Sequence, residues 1–194
     1  MNEATINKEK IMDVTSDLKG RAVLKSDTGE KLGQVEDVII NPAEGRVLGI
    51  ALRSAEGAAV SLAAQDYIIG ADAVMVRQGT LKPAAQAGDV HSVGVNSSHI
   101  VGATVVTEDG KLLGRVSEVH ISADHPIVIY RVVESTLQRF FGGGFFLMGD
   151  VPRAYSQEGA RLIVPADTED QYARSSLAEA FELPSGRMQS ASGA

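Results

Sequence analysis

The sequence predicts an all-β protein built from two tandem small β-barrels, followed by a C-terminal α-helix. Three observations support this fold class. One stretch of the 194-residue chain recurs 81 positions later (110 minus 29). The segments around it are short, rich in β-branched residues and separated by Gly, Asn and Pro, as strands are. A helical spacing of apolar residues follows only after the second copy.

The repeat is clearest around two hairpins. The segment from Asp27 to Val38, DTGEKLGQVEDV, is matched by EDGKLLGRVSEV from Glu108 to Val119. Each copy begins with a Gly-containing turn signal that is typical of a β-hairpin. A second Gly precedes the next strand, where it would ease a bend. We therefore interpret four glycines as structural: Gly29, Gly33, Gly110 and Gly114.

The strands of the first copy are predicted in order at 21–25, 34–40, 46–52, near 58–62, and at 73–77. In the second strand, alternation of apolar and polar residues breaks after Val35, and it breaks again after Val116 in the other copy. This shared break predicts a β-bulge, which bends a sheet toward a barrel.

Changes in the spacing predict where the copies differ in length. Upstream of the hairpin, Leu18 corresponds to Ile100 at a spacing of 82, so the first copy has one extra residue in its first strand or hairpin. Downstream, Val74 corresponds to Leu162 at a spacing of 88. The second copy has therefore gained seven residues, which we place around Leu137 to Gly144.

After the second copy, Asp167 can cap a helix that Pro184 ends. One face of this helix would carry Ala173, Leu177, Ala180 and Phe181. The predicted organisation is an N-terminal extension at 1–16, a first barrel at 17–79, a linker at 80–97, a second barrel at 98–166, a helix at 167–183 and a flexible tail at 184–194.

Composition excludes several classes of function. The chain has no Cys, which rules out disulfides and thiol chemistry. Its net charge of -7 disfavours nucleic-acid binding, which needs clustered cations. We find neither a signal peptide nor an apolar run long enough to span a membrane. The sequence therefore predicts a soluble, cytoplasmic protein and leaves peripheral membrane contact and self-association open.

The Gly-containing hairpin, the Leu-Gly pair, the Val-x-Asp/Glu-Val motif and the strand at Val47 to Ile50 together resemble the PRC-barrel family. That family includes the cytoplasmic domain of the photosynthetic reaction centre H subunit and the C-terminal domain of a ribosome-maturation factor. The resemblance is closer in the first copy, which keeps the family's turn at Asn41 to Gly45. It implies a protein-docking barrel without a shared active site.

Candidate chemical residues are few. The histidines are His91, His99, His120 and His125. Only His120, Asp124 and His125 lie close enough in sequence to suggest a metal site, and we interpret them as surface turn residues. We expect no catalytic residue, no metal and no cofactor. Single replacement of Glu36, Asp37, Glu118 or His120 should therefore leave function largely intact.

An unusual segment, FFGGGFFLM, holds four of the five Phe residues in the chain. By the spacing of 88, Phe146 would correspond to Ala58 in a barrel strand, whereas Phe140 and Phe141 have no counterpart. Two interpretations remain open: internal packing, or a surface that binds a partner or a membrane interface. The candidate partner-binding residues are Phe140, Phe141, Phe145 and Phe146.

These observations favour a non-catalytic protein-interaction or scaffold module, which could dock on a membrane-associated complex. The alternatives are a small-ligand or metal-binding regulatory barrel, or an enzyme. An enzyme should bring polar groups together in a pocket, whereas a docking module should show an apolar surface without them. The sequence names no partner.

Overall fold

Most of the chain is β-strand in the computed structural model, which describes residues 11–77, 82–83, 93–123, 126–134 and 143–180. The strands form two sheets, each curled into a half-barrel. The prediction of a mostly β protein with few helices is thus confirmed.

The first half-barrel is the sheet formed around the long strand β3. Its order is β6-β7-β2-β3-β4-β5-β8, with β9 pairing on β3. Neighbours are antiparallel except for β2 and β7, which run parallel. The strands are β2 (Ala22–Lys25), β3 (Lys31–Asn41), β4 (Arg46–Ser54), β5 (Ala59–Ala63), β6 (Tyr67–Ile69), β7 (Ala73–Val76), β8 (Lys82–Pro83) and β9 (Val95–Asn96).

The second half-barrel repeats this arrangement around β11. Its order is β13-β12-β11-β10-β15-β14, and β10 and β15 form the parallel pair. The strands are β10 (Thr104–Thr107), β11 (Leu112–Ser122), β12 (Val128–Val133), β13 (Phe145–Met148), β14 (Ala154–Ser156) and β15 (Arg161–Val164), and β1 (Ile11–Asp13) pairs on β11.

Both predicted β-bulges are present. Val35 pairs with Leu52 and Asp37 with Ala51, so Glu36 is the extra residue of its strand. The equivalent shift in β11 lies between Val116 and Glu118. The bulges bend both long strands at the same place, because the same break in alternation occurs in both.

The extra residue predicted in the first hairpin is also present. In the first hairpin the backbone N–H of Lys25 donates to the carbonyl of Glu30. In the second, the backbone N–H of Thr107 donates to the carbonyl of Lys111, so the second loop is shorter by one residue. A second extra residue was not predicted. It lies before β2, where Val14–Leu18 forms a π-helical turn, while the matching segment is the α-helix α1 (Ser97–Ile100).

The prediction of one seven-residue insertion is wrong in its alignment. Leu147 lies opposite Tyr130, as Leu62 lies opposite Ile50, so this strand follows a spacing of 85 (147 minus 62). Phe146 therefore corresponds to Ser61 and not to Ala58. The residues that the second copy has gained are therefore divided among several loops, and one spacing cannot describe all the strands.

The helices are short. Besides α1, the π-helical turn and a 3-10 turn at Ala64–Asp66, the helices within the described residues are α2 (Thr168–Gln171) and α3 (Leu177–Ala180). No helix among the described residues is long and apolar enough to cross a membrane.

The continuous helix predicted from 167 to 183 is interrupted. Arg174 leaves the helical path because its backbone exchanges two hydrogen bonds with Phe146, at 2.7 and 3.1 Å. Ser175 then bonds the carboxylate of Glu179 and begins a new turn. The end of the predicted helix and the tail at 184–194 lie outside the described residues.

The two half-barrels share one hydrophobic core. Buried apolar side chains from both sheets, among them Ile40, Val47, Ile121 and Val128, belong to a single cluster. The halves also exchange strands: β1, which precedes the first half-barrel, pairs with β11, while β9, which precedes the second, pairs with β3. Each half therefore supplies a short strand that pairs with the long strand of the other half.

Candidate functional site

A groove of about 530 Å³ opens where the two half-barrels meet. One side comes from the beginning of β4, the 3-10 turn and β6 of the first half-barrel. The other side comes from Val93 and the end of β11 with its following turn. The residues that matter most below are Arg46, Leu48, Tyr67, Ile69, Val93 and Ile121.

The groove is mostly uncharged. Arg46 is its one charged lining residue among the described positions, and its guanidinium pairs with Glu44. Tyr67 is also uncharged, and burial raises the pKa of its hydroxyl further above its ordinary value. The described lining residues include no His, Asp, Glu or Lys. This surface can bind apolar groups, but it brings together no general acid, general base and nucleophile.

A second cluster lies where β1 pairs with β11. Ligand atoms of Asp13, Glu118 and His120 all lie within 4.8 Å of one another, and all three residues are half-buried. Glu118 is already engaged, since its carboxylate is 2.8 Å from the guanidinium of Arg131 and 3.2 Å from the imidazole of His120. The cluster could hold a cation only if these contacts rearranged.

The repeated carboxylates have unequal surroundings. Asp37 is buried, and its side chain accepts hydrogen bonds from the Ser97 hydroxyl and from the backbone N–H of Ser98. Glu36 instead forms a surface ion pair with Arg53. Asp37 and Glu118 hold equivalent positions, and each lies beside the chain segment that enters from the other half of the protein. Asp37 bonds to that segment, whereas the Glu118 carboxylate pairs with His120 and Arg131 of its own half and lies within 4.8 Å of Asp13.

The candidate partner-binding residues are only partly described. Phe140 and Phe141 lie outside the described residues. Phe145 and Phe146 lie in β13 and are half-buried, and the ring of Phe146 is 5.9 Å from that of His120. These two positions therefore contribute to packing at the edge of the second half-barrel.

The four repeat glycines serve two purposes. Gly29 and Gly110 occupy their turns with φ of +71° and +92°. At Gly33 and Gly114 a neighbouring strand passes close by: an added Cβ would lie 2.1 Å from the carbonyl oxygen of Arg53 or 2.5 Å from that of Val133. The second pair is needed for close strand approach in addition to any bend.

Sequence reasoning missed the groove and the partners of His120. Asp124, His125 and His91 lie outside the described residues. Among the described residues, His120 lies close to Asp13 and Glu118. Glu118 and His120 lie two positions apart on a strand, and residues at this spacing share one face. Asp13 carries no comparable signal, because its place depends on how β1 pairs with a strand more than a hundred residues away.

Two comparisons with known proteins give different results. A search of curated proteins finds no match. Residues 12–82 match the family model of the PRC-barrel domain, from the second residue of β1 to the first residue of β8.

Proposed function

We propose that this chain is a non-catalytic protein-binding module made of two PRC-like units in tandem. The second unit is supported by the repeated strand order, the repeated parallel pair and the repeated bulge. The groove between the units is the proposed docking site. One observation carries the proposal: this opening is lined almost entirely by uncharged residues and lacks a converging set of reactive groups among the described positions.

The groove can be tested by changing one exposed side chain in it. Val93 is 56% exposed, so Val93→Glu adds a charge to the groove without removing core packing. Leu112→Glu is the matched control, because Leu112 is 64% exposed and does not line the groove. Both variants should unfold at the same temperature as the unmodified chain.

The readout is affinity capture from the native cell with quantitative mass spectrometry. We expect at least one protein that co-purifies with the unmodified chain and with Leu112→Glu, and that falls about tenfold with Val93→Glu, a loss of about 1.4 kcal/mol in binding. An unchanged set of captured proteins would refute docking at the groove. The proposed module could reach a membrane-associated complex through such a partner.

The second candidate is a metal-binding regulatory barrel, which the Asp13, Glu118 and His120 cluster favours. Carboxylates and imidazole are common ligands of zinc. If this candidate holds, zinc should raise the unfolding temperature of the unmodified chain and not that of His120→Ala. The docking proposal predicts no such difference.

A small-ligand barrel is also consistent with the groove volume, which falls within the range of small-molecule sites.

A further inference from the structure

In the part of the chain that the structure describes, the strand β6 forms one edge of the first half-barrel and has an open outer side. It pairs with β7, and within the described ranges no strand pairs with its other side. Asp66 and Gly70 flank the strand, and their main-chain groups face β7. The backbone N–H of Arg77 donates to the carbonyl of Asp66 at 3.0 Å, and the backbone N–H of Gly70 donates to the carbonyl of Ala73 at 2.9 Å. In an antiparallel pair, hydrogen-bonded positions alternate. The main-chain groups of Tyr67 and Ile69 therefore point away from β7.

The opposite edges of the sheets are covered. In the first half-barrel, β5 is paired by β8, so that Val60 lies opposite Pro83. In the second, Phe146 of β13 exchanges backbone hydrogen bonds with Arg174. The chain thus closes these two edges with its own later segments. Within the described ranges no segment covers β6 in this way, and Ile68 of that strand has 41% of its surface exposed.

The open edge lies beside the groove. Tyr67 and Ile69, whose main-chain groups face outward, both line it, and Leu48 and Val93 supply apolar surface nearby. Unpaired main-chain donors and acceptors beside an apolar groove are the two components of recognition by strand addition. Main-chain hydrogen bonds then give affinity, and alternate side chains enter the groove.

We infer that β6 binds an extended peptide segment of a partner protein as an added strand, and that alternate, uncharged side chains of this peptide occupy the groove. The inference rests on the proposed function and adds the kind of partner. An extended peptide satisfies the outward groups of Tyr67 and Ile69 with its own main-chain groups, whereas a small molecule has no matching row of donors and acceptors. Arg46, the one charged lining residue among the described positions, is paired with Glu44, so the groove selects uncharged side chains, since a buried charge without a partner is costly.

The test uses the full chain and a displayed library of random peptides, with a resin carrying Val93→Glu to remove peptides that bind elsewhere. One selected peptide is then synthesised with a single N-methyl group at each position in turn. N-methylation removes one main-chain donor and leaves the side chain unchanged. Strand addition predicts that affinity falls about tenfold at alternate positions and little at the positions between them.

Two results would overturn the inference: a selection that yields no peptide sensitive to Val93→Glu, or a methylation scan without period-two sensitivity. Either result is separable from failure of the proposed function. If captured cellular proteins still depend on Val93 while the methylation scan is flat, the groove docks proteins by another geometry. If capture is also unaffected by Val93→Glu, the docking proposal itself fails.

Discussion

Asp37 and Ser97 connect the two halves of the chain through a buried hydrogen bond from the serine hydroxyl to the carboxylate. Asp37 lies in β3, and Ser97 begins α1, directly after β9 pairs with that same strand. The carboxylate also accepts the backbone N–H of Ser98 at 3.3 Å and that of Val38 at 2.8 Å. The Asp37 side chain thus fixes the start of the second half of the chain against β3 of the first half.

Replacing Asp37 should destabilise the protein without touching a reactive centre. Asp37→Ala leaves the buried Ser97 hydroxyl and the Ser98 N–H without their acceptor, so the free energy of unfolding should fall by about 2 to 3 kcal/mol. Urea denaturation measures the change. Glu36→Ala is the matched control, because Glu36 forms an exposed ion pair worth about 1 kcal/mol or less. Equal losses in the two variants would argue against a special role for Asp37.

Gly45 should be required for the contact between the half-barrels. Its φ is +64°, and an added Cβ would lie 2.0 Å from the backbone carbon of Gly149. Gly29 also has positive φ but has open space around it, so Gly29→Ala should cost only about 1 to 2 kcal/mol from backbone strain. Gly45→Ala should cost about 2 kcal/mol more, because it adds overpacking to the same strain. Similar unfolding free energies for the two variants would disprove the close approach.

Tyr130 offers a stabilising change. Its side chain is fully buried, and its hydroxyl has no hydrogen-bond partner among the described protein atoms. Tyr130→Phe removes a polar group that is costly to bury unpaired, so the free energy of unfolding should rise by about 1 kcal/mol. Tyr155→Phe is the control, since that hydroxyl donates to the His99 carbonyl at 3.1 Å and its loss should not stabilise. A clear destabilisation by Tyr130→Phe would contradict this prediction.

The same burial predicts a loss of stability at high pH. Burial raises the pKa of Tyr130 and of Tyr67, so the folded state keeps both phenolic protons where the unfolded chain begins to lose them, near pH 10. Because the unfolded state then binds fewer protons, stability is fully present below about pH 10 and falls above it. Each tyrosine contributes up to about 1.4 kcal/mol per pH unit.

Urea unfolding measured between about pH 8 and pH 11 tests this dependence. The decline should be shallower in Tyr130→Phe than in the unmodified chain. Identical slopes would mean that Tyr130 ionises as readily in the folded protein as in the unfolded one.

Local patterns predicted local structure well. The bulges after Val35 and Val116 followed from broken alternation, which depends only on neighbours along one strand. The hairpin turns at Gly29 and Gly110 followed from turn chemistry in the same way. The β-rich fold was predictable because these signals repeat along the chain and agree with one another.

Long-range pairing was not predictable in this way. The apolar spacing of Ala173, Leu177 and Ala180 favoured one helix, but backbone hydrogen bonds between Arg174 and Phe146 compete with it, and tertiary pairing overrides a weak helical preference. The exchange of β1 and β9 between the halves, and the groove beside Val93, likewise depend on contacts between distant segments. A spacing count also cannot distinguish one insertion from several, so the spacing of 88 pairs Phe146 with Ala58, whereas the strand pairing matches it to Ser61.

The Phe-rich segment should separate into a packing pair and a docking pair. Phe145 and Phe146 are half-buried in β13, and Phe145 packs against the shared core. Replacing both with Ala should therefore lower the free energy of unfolding by about 2 to 4 kcal/mol. Phe140→Ser with Phe141→Ser tests the other pair, for which the sequence leaves open internal packing or contact with a partner or a membrane interface.

If Phe140 and Phe141 bind outside the protein, their double variant should unfold at nearly the unmodified temperature while partner recovery falls. Burying each ring at an interface is worth about 2 to 3 kcal/mol, so removing both should weaken capture by far more than tenfold. Melting temperature and capture are measured on the same preparation, with the Phe145 and Phe146 variant as the reference for lost packing. A stability loss as large as that of the reference would mean that all four rings pack within the protein, because only internal burial lowers the stability of the isolated chain.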